Sequence, residues 1–358
     1  MADAPEQPER TNSPTGSAAE AGSGRDAARG RRTVLRVVFL VITLAALAWV
    51  IAPIVTNWDA IAPMLARPGL AVALIAGSLA YAGALWLCMA PGWWWLTRLY
   101  GRTAPALPTA AVWCRTQIVK YLPGNVAHYL GRQVLGRRLG LHHAEMAAAS
   151  LLELVSILGA AAMIGAAGLA LGAGSVVPGD AAPPALEPDG GARLGVALPV
   201  IAALIVVALL AWPIADALAR RIGFLKKRMA DLPRLSATRS VLLLGPALAV
   251  HIVFLIATGL LLWWLCLAAT PEGATAPSAI RAVWIYAVAW AVGTVAPGAP
   301  AGAGVREAII TLELASDLGR PEAAAIALGL RLVTTLGDAV AFGVSGVVPI
   351  GAAVVKSR

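Results

Sequence analysis

Two stretches of the chain share a pattern that decides the fold: PGNVAHYLGR at residues 123–132 and PGAPAGAGVR at residues 297–306. Each begins with a Pro-Gly pair and reaches an arginine nine residues after the proline. Each then leads through a short helix-like stretch to a glutamate, Glu145 or Glu322, that opens an Ala-rich run. Proline and glycine break helices and free backbone polar groups, which hydrocarbon tolerates only where protein or water satisfies them. The pattern predicts an internal repeat with one broken or re-entrant helix in each half.

The composition places this repeat in a membrane. Of 358 residues, 59% are hydrophobic and only 13% are charged, and the mean hydropathy is +0.77. These values exclude a soluble enzyme, a disordered chain and a secreted disulfide scaffold. The three cysteines stand singly in apolar stretches and indicate neither a disulfide framework nor a zinc site. We therefore predict an all-α fold: a polytopic integral membrane helical bundle.

The hydropathy pattern sets the expected number of crossings. Apolar runs lie at 37–55, 69–95, 145–172, 194–213, 241–269, 279–296 and 322–350, with charge-bearing stretches at 105–140 and 301–318. A crossing helix needs about 20 apolar residues. The runs predict seven to eight spans with two re-entrant or broken helices, within a transmembrane domain at 34–355 that follows a disordered cytoplasmic tail at 1–33.

Two alternatives remain for the C-terminal end. If 301–318 re-enters, there are seven spans and an outer C-terminus; if it crosses, there are eight spans and an inner C-terminus. Lys356 and Arg358 favour the inner position.

Basic residues indicate the orientation. They concentrate in the N-terminal tail and in the segments 98–143 and 214–240, whereas the connections at 56–68, 173–193 and 270–280 are mostly acidic. By the positive-inside rule the basic segments face the cytoplasm. This predicts a multi-pass protein of the cell (plasma) membrane with a cytoplasmic N-terminus. The net charge of +9 is therefore a topology signal and does not indicate nucleic acid.

Charges near the first break point to an anion. No carboxylate occurs between Asp59 and Glu145, while Arg115, Lys120 and Arg132 flank the break within apolar sequence. Helices that start at a break direct unpaired N–H groups and a positive dipole end into the cavity they line. We expect these cations to attract an anion such as a phosphate.

The second half adds charges of both signs. Arg306-Glu307 follows the break, and Arg331 and Asp338 share one face of the last apolar run. An Arg331–Asp338 pair and a role in substrate binding are both open, and Glu153 is expected to pair with a second-half arginine across the repeat interface. The candidate substrate-binding residues are Arg115, Lys120, Pro123, Gly124, Arg132, Glu153, Pro297, Gly298, Arg306, Glu307, Arg331 and Asp338.

Other chemistry has little sequence support. His251 lies inside an apolar run, where a hydrogen bond to a neighbouring helix is favoured over a proton relay. The remaining histidines lack metal-ligand spacing, and the chain contains no Walker loop or His-Glu-x-x-His motif. We therefore predict no metal, no cofactor and no catalytic residue.

The residues around both breaks resemble the lysylphosphatidylglycerol synthase transmembrane region, the flippase-like domain of multiple peptide resistance factors. The resemblance rests on KYLPGN at 120–125 through Gly131-Arg132, on the run from 297 to 308, and on the Ala-rich helix that reaches Arg331. It implies a helical domain with re-entrant segments that moves lipids between leaflets. By residue matching, it implies functional roles for Arg132, Arg306, Glu307 and Arg331. The aminoacyl-transferase domain of the full-length synthases is not expected in this chain.

The leading functional hypothesis is accordingly a membrane lipid translocase for an anionic or modified phospholipid or a lipid-linked intermediate, with a membrane lipid as its partner. A homo-oligomer is compatible with the sequence. An integral membrane transferase or accessory subunit acting on lipid-linked substrates is the alternative, with Glu145, Glu307, Glu313 and Glu322 as its candidate carboxylates. A third hypothesis is an ion-coupled solute transporter that uses His251, Glu153 or Asp338.

Overall fold

A computed structural model describes Trp58, Ala62 and residues 68–100, 104–121, 127–173, 237–270, 275–296 and 299–351. Within these ranges the secondary structure is helical and contains no β-strand, so the predicted all-α class is confirmed for them. The predicted tail at 1–33 and the apolar runs at 37–55 and 194–213 lie outside the described residues. All contacts given below belong to the compact unit Ile51–Arg358.

Nine α-helices make up most of the described part of the chain. They are α1 (Pro68–Ala84), α2 (Ala90–Thr97), α3 (Ala106–Gln117), α4 (Ala127–Gly136), α5 (His143–Ala170), α6 (Ala237–Ala269), α7 (Ala279–Val295), α8 (Val305–Leu318) and α9 (Arg320–Gly346).

Four helical segments of the described part are long and apolar enough to cross a membrane: Gly69–Thr97, His143–Ala170, Leu242–Ala269 and Arg320–Gly346. The shortest has 27 residues. At about 1.5 Å per residue it is roughly 40 Å long, more than the hydrocarbon core of about 30 Å. About half of each segment is buried. The outward faces carry large apolar side chains such as Leu79, Val253 and Phe342, as expected beside lipid.

The first long segment joins α1 to α2 through a π-helical turn, Leu85–Met89. The N–H of Ala90 donates to the carbonyl of Leu85, five residues back. Pro91 has no N–H for the regular bond to residue 87, and a wider turn accommodates this loss within the helix. Such turns occur frequently at functional sites.

The first and last long segments run in the same direction. Gly77 lies against Val333, and four residues further along α1, Tyr81 lies against Gly337. Residue numbers rise together along both helices. Since Gly337 has no side chain, the Tyr81 ring approaches the α9 backbone closely.

The other two long helices run in the opposite direction. On α6, His251 lies against Gly92 of α2. Phe254, three residues later on α6, packs against Tyr81, which comes earlier in the first segment. Helix α5 is parallel to α6, since Ser156 bonds His251 and the C-terminal parts of both helices border one apolar groove. The four long described helices therefore run two in each direction.

Helices α3 and α4 form a first hairpin. At its start, Trp94 of α2 donates to the carbonyl of Ala104 over 2.9 Å. At its end, the side chain of Gln133 contacts His143, the first residue of α5, at 2.9 Å. Both ends of the hairpin therefore lie where α2 ends and α5 begins. Its tip at 122–126 lies outside the described residues.

Helices α7 and α8 form a second hairpin, which opens at the other end of the bundle. Near the start of α7, the Arg281 guanidinium donates to Asp317 over 2.8 Å and to the Glu313 carbonyl over 2.7 Å, both near the end of α8. The same side chain donates to the Ala173 carbonyl, just after α5. Both ends of this hairpin therefore lie where α5 ends.

The chain reverses at Ala301, Gly302 and Gly304, which have φ of 50°, 72° and 82°. Glycine adopts this left-handed conformation without strain. Gly302 also packs directly on the backbone of Gly293 in α7, where a Cβ would come within 3.1 Å of the Gly293 carbonyl oxygen. The glycine-rich sequence therefore allows both the turn and the close packing of the tip on α7.

Each half thus consists of a long helix, a hairpin and a second long helix, and the two halves run in opposite directions. This inverted arrangement differs from the expectation for the run at 279–296, which was counted as a crossing. Helix α7 has only 17 residues, and the chain then turns back toward the end of the bundle from which it came. Hydropathy measures the length of an apolar run and does not report this reversal.

An arginine on each hairpin secures the last helix of the opposite half. Arg115 of α3 donates to the carbonyls of Ser345 and Val348 at the end of α9. Arg281 of α7 reaches Ala173, just after the end of α5. Cations at helix C-termini satisfy carbonyls that lack helical partners and oppose the negative dipole end. The hairpins therefore stabilise the contact between the halves.

Candidate functional site

A cavity of about 110 Å³ lies between the two hairpins. Its walls include Lys120, which follows α3, the returning helix α4, and the reversal of the second hairpin at Gly302. The volume exceeds the minimum space for one water, roughly 10–15 Å³, several-fold. The charged residues on its walls are Lys120, Arg132, Glu153, Arg306 and Arg331.

The cavity lies near the middle of the long helices. Arg331 stands eleven residues after Arg320, the first residue of α9, so it is about 17 Å along that helix. Glu153 stands ten residues after His143, the first residue of α5, about 15 Å along. Ionisable groups at that depth are costly unless they are paired or hydrated.

In the first half, the buried Arg132 of α4 forms an ion pair with Glu153 of α5. The guanidinium carbon lies 5.2 Å from the Trp113 ring centroid and 5.3 Å from that of Tyr129. Trp113 also donates to the other Glu153 oxygen over 2.5 Å. Both charges are therefore paired and enclosed by aromatic rings, which lowers the cost of burying them.

The second half contains a similar pair with the signs exchanged. Here the returning helix α8 supplies the acid, Glu307, and the long helix α9 supplies the base, Arg331, at 3.4 Å. The second Glu307 oxygen accepts from the Gly304 N–H over 2.6 Å at the start of α8. Arg331 also donates to the Ala301 carbonyl at the reversal. Glu307 therefore occupies part of the α8 N-terminus that was expected to attract the anion.

A third ion pair joins the two halves. Lys120, after α3, lies 2.7 Å from the buried Asp338 of α9, and the Tyr121 hydroxyl donates to the same carboxylate oxygen over 2.5 Å. The Arg331–Asp338 pair, one of the two possibilities left open by the sequence, is therefore not formed. Asp338 pairs with Lys120, and Arg331 pairs with Glu307. The expected pairing of Glu153 with a second-half arginine is likewise wrong, because Arg132 lies closer within its own half.

Arg306 differs from these cations. In the described ranges no carboxylate pairs with it, and its buried Nε has no hydrogen-bond partner. Its guanidinium carbon lies 6.0 Å from the Trp290 ring centroid. The Nε of Arg132 and the Nδ1 of His128, both on the cavity wall, also lack partners. Buried nitrogens without a hydrogen-bond partner are rare in folded proteins, and three of them belong to residues that line this cavity.

The charges at the site do not cancel. Lys120, Arg132 and Arg331 each have a carboxylate partner among the described residues, whereas Arg306 has none. The described site therefore holds four cations and three carboxylates, an excess of one positive charge.

The structure brings together most of the predicted residues that it describes. Five of them line the cavity: Lys120, Arg132, Glu153, Arg306 and Arg331. The carboxylates of Glu307 and Asp338 form ion pairs with Arg331 and Lys120. Arg115 does not line the cavity, since its guanidinium is bound to carbonyls at the end of α9. Pro123, Gly124, Pro297 and Gly298 lie outside the described residues.

Sequence reasoning missed the aromatic and apolar lining. Trp113, Tyr121, Tyr129 and Trp290 surround the cations. The sequence contained a signal for this lining. Aromatic residues stand three or four positions from Arg132 and within the helices before each break. The apolar part of the wall comes from Leu85, Met89, Leu154, Ile157 and Phe254.

His251 is buried away from the cavity, and its Nδ1 is 2.9 Å from the Ser156 hydroxyl. This confirms the predicted hydrogen bond to a neighbouring helix. In the part of the chain that the structure describes, no group of three or more His, Cys, Asp or Glu residues could hold a metal ion.

Comparison with models of known protein families gives no match. No curated protein matches the chain either. The described residues define an all-helical protein with four helices that fit a membrane in length and composition, and a basic cavity between two opposed hairpins.

Proposed function

We propose that this protein is a membrane lipid translocase that moves an anionic phospholipid or lipid-linked intermediate between leaflets. The headgroup occupies the cavity between the hairpins while the acyl chains stay in the bilayer. The observation that carries the proposal is Arg306, a cavity cation that has no carboxylate partner among the described residues. An unpaired charge is unfavourable in a low-dielectric site, so a bound anion stabilises it.

The cavity walls support an amphiphile over a free anion. The wall contains cations and aromatic rings together with the apolar side chains of Leu85, Met89, Leu154, Ile157 and Phe254. A headgroup whose phosphate is bonded to apolar carbon can contact both kinds of side chain. The resemblance to the flippase-like domain of multiple peptide resistance factors supports the same substrate class.

The inverted repeat supports transport. Inverted halves with broken helices around a midplane site are typical of secondary transporters, which expose that site alternately to the two sides. Here Lys120–Asp338 joins the halves next to the cavity. Rocking of one half against the other would change the side to which the cavity opens.

The proposed topology has six crossings and two hairpins. It counts the four long described helices and the apolar runs at 37–55 and 194–213 as crossings. The basic segment 214–240 and the basic residues at the two ends of the first hairpin, such as Arg98 and Arg138, then lie on one side together with both chain ends. We place that side in the cytoplasm and the protein in the cell membrane.

A leaflet-exchange assay tests the proposal. Purified protein is placed in proteoliposomes containing a fluorescent phosphatidylglycerol, and dithionite quenching reports exchange. We expect Arg306→Gln to slow exchange at least about tenfold, since one lost charge contact of about 1.4 kcal/mol has that effect. The control is Arg138→Gln at an exposed position outside the cavity, which should leave the rate unchanged. Exchange in Arg306→Gln at the wild-type rate, with an unchanged helical circular dichroism spectrum, would refute the proposal.

A further inference from the structure

The charge balance of the cavity constrains its ligand beyond the requirement for an anion. Three of the four cations are neutralised by Glu153, Glu307 and Asp338, and only the charge of Arg306 remains in the described site. A ligand with one negative charge would bring the site to neutrality. A ligand with two would leave one negative charge uncompensated among three carboxylates, and uncompensated buried charge is strongly destabilising.

The chemistry of the lining agrees with this balance. Arg132 and Arg306, on the returning helices of the two hairpins, both line the cavity. A phosphodiester has two non-bridging oxygens that share one negative charge and can accept from guanidinium N–H groups.

We infer that the cavity selects a lipid phosphodiester with a single negative charge and discriminates against lipid phosphomonoesters. This rests on the proposed function and specifies its substrate class. Phosphate esterified on both sides carries one negative charge, which matches the excess positive charge of the described site. A terminal phosphate carries close to two charges above its second pKa, near 6, and is therefore repelled by the carboxylates.

The test compares two probes that differ by one methyl group: dihexanoylphosphatidylmethanol, a diester, and dihexanoylphosphatidic acid, a monoester. Binding to the purified full chain in detergent is measured by titration calorimetry at pH 8. We expect the diester to bind about tenfold more tightly, equivalent to about 1.4 kcal/mol. Equal binding, or tighter binding of the monoester, overturns the inference.

A variant provides a second test. Glu307→Gln removes one carboxylate, while its amide oxygen can still accept from Gly304 at the start of α8. The site then has an excess of two positive charges, and we expect the preference to shift toward the monoester by about tenfold. Asp338→Asn removes the carboxylate that pairs with Lys120 and makes the same change in charge. An unchanged preference in both variants overturns the inference.

These results are separable from the proposed function. If binding shows no preference for the diester but leaflet exchange still depends on Arg306, only the phosphodiester preference is refuted. Loss of Arg306 dependence in the exchange assay refutes the translocase and, with it, the inference.

Discussion

At the scale of single residues, the pairing of charges determines what each arginine can do. Arg132 and Arg331 both line the cavity, yet each is held by a glutamate. Their main effect is to fix a returning helix against the long helix that follows. Arg306 has no such carboxylate in the described ranges, so its charge is available to a ligand.

The Arg132–Glu153 pair makes a prediction about stability. Arg132→Met or Glu153→Leu alone should destabilise the protein by about 3–5 kcal/mol, because each leaves the other charge buried and unpaired. The double variant should lose less than the sum of the two. Thermal unfolding in detergent, followed by circular dichroism, measures the effects.

The exposed Arg138 supplies the control for this cycle. Arg138 lies just after α4 and is exposed, so Arg138→Met should leave the melting temperature within error of the wild type. Additive losses in the double variant would show that the pair does not act as a unit.

At the scale of secondary-structure elements, the hairpins decide the topology. Each has both ends at one end of the bundle, and the two hairpins open at opposite ends. Their returning helices, α4 and α8, have 10 and 14 residues, about 15 and 21 Å, too short to cross a bilayer alone.

Cysteine labelling checks this topology. We expect Ser278→Cys before α7 and Ser316→Cys near the end of α8 to react with an impermeant maleimide from the same side of a vesicle, because both positions are exposed at one end of the hairpin. Arg138→Cys should react from the other side. The three native cysteines are buried and should contribute little background. Labelling of positions 278 and 316 from opposite sides would mean that this segment crosses the membrane.

The sequence indicated matching regions in the two halves, whereas the path of the chain through these regions could not be predicted from it. Pro-Gly pairs and the later glutamates marked matching positions, because helix breaking depends on local residue chemistry. The direction of α7 and α8 depended instead on contacts such as Arg281–Asp317, between residues 36 positions apart. No local pattern specifies such a contact.

At the site, too, the sequence indicated the residues but not their partners. The cluster of Lys120, Arg132, Arg306 and Arg331 could be predicted because ionisable residues are rare in apolar sequence. Their partners could not, since several carboxylates were compatible with each cation. Arg115 illustrates the difference: its sequence context resembles that of Lys120, but α3 places it beside the carbonyls that end α9.

At the scale of the whole molecule, the two inverted halves of the described chain enclose a basic cavity. The hairpins enter from opposite ends, and the cations of both halves line the same space. Lys120–Asp338 and the two arginine caps join the halves. Our account therefore depends on a lipid headgroup residing between the hairpins, in contact with both.

Photocrosslinking tests that claim most directly. A phosphatidylglycerol with a diazirine on its headgroup is irradiated with the protein in nanodiscs, and labelled peptides are identified by mass spectrometry. We predict labelling of cavity residues from both hairpins, such as Tyr129 and Thr294, and loss of that labelling in Arg306→Gln. Labelling confined to outward-facing residues such as Val72 and Phe342, unchanged in Arg306→Gln, would contradict the account.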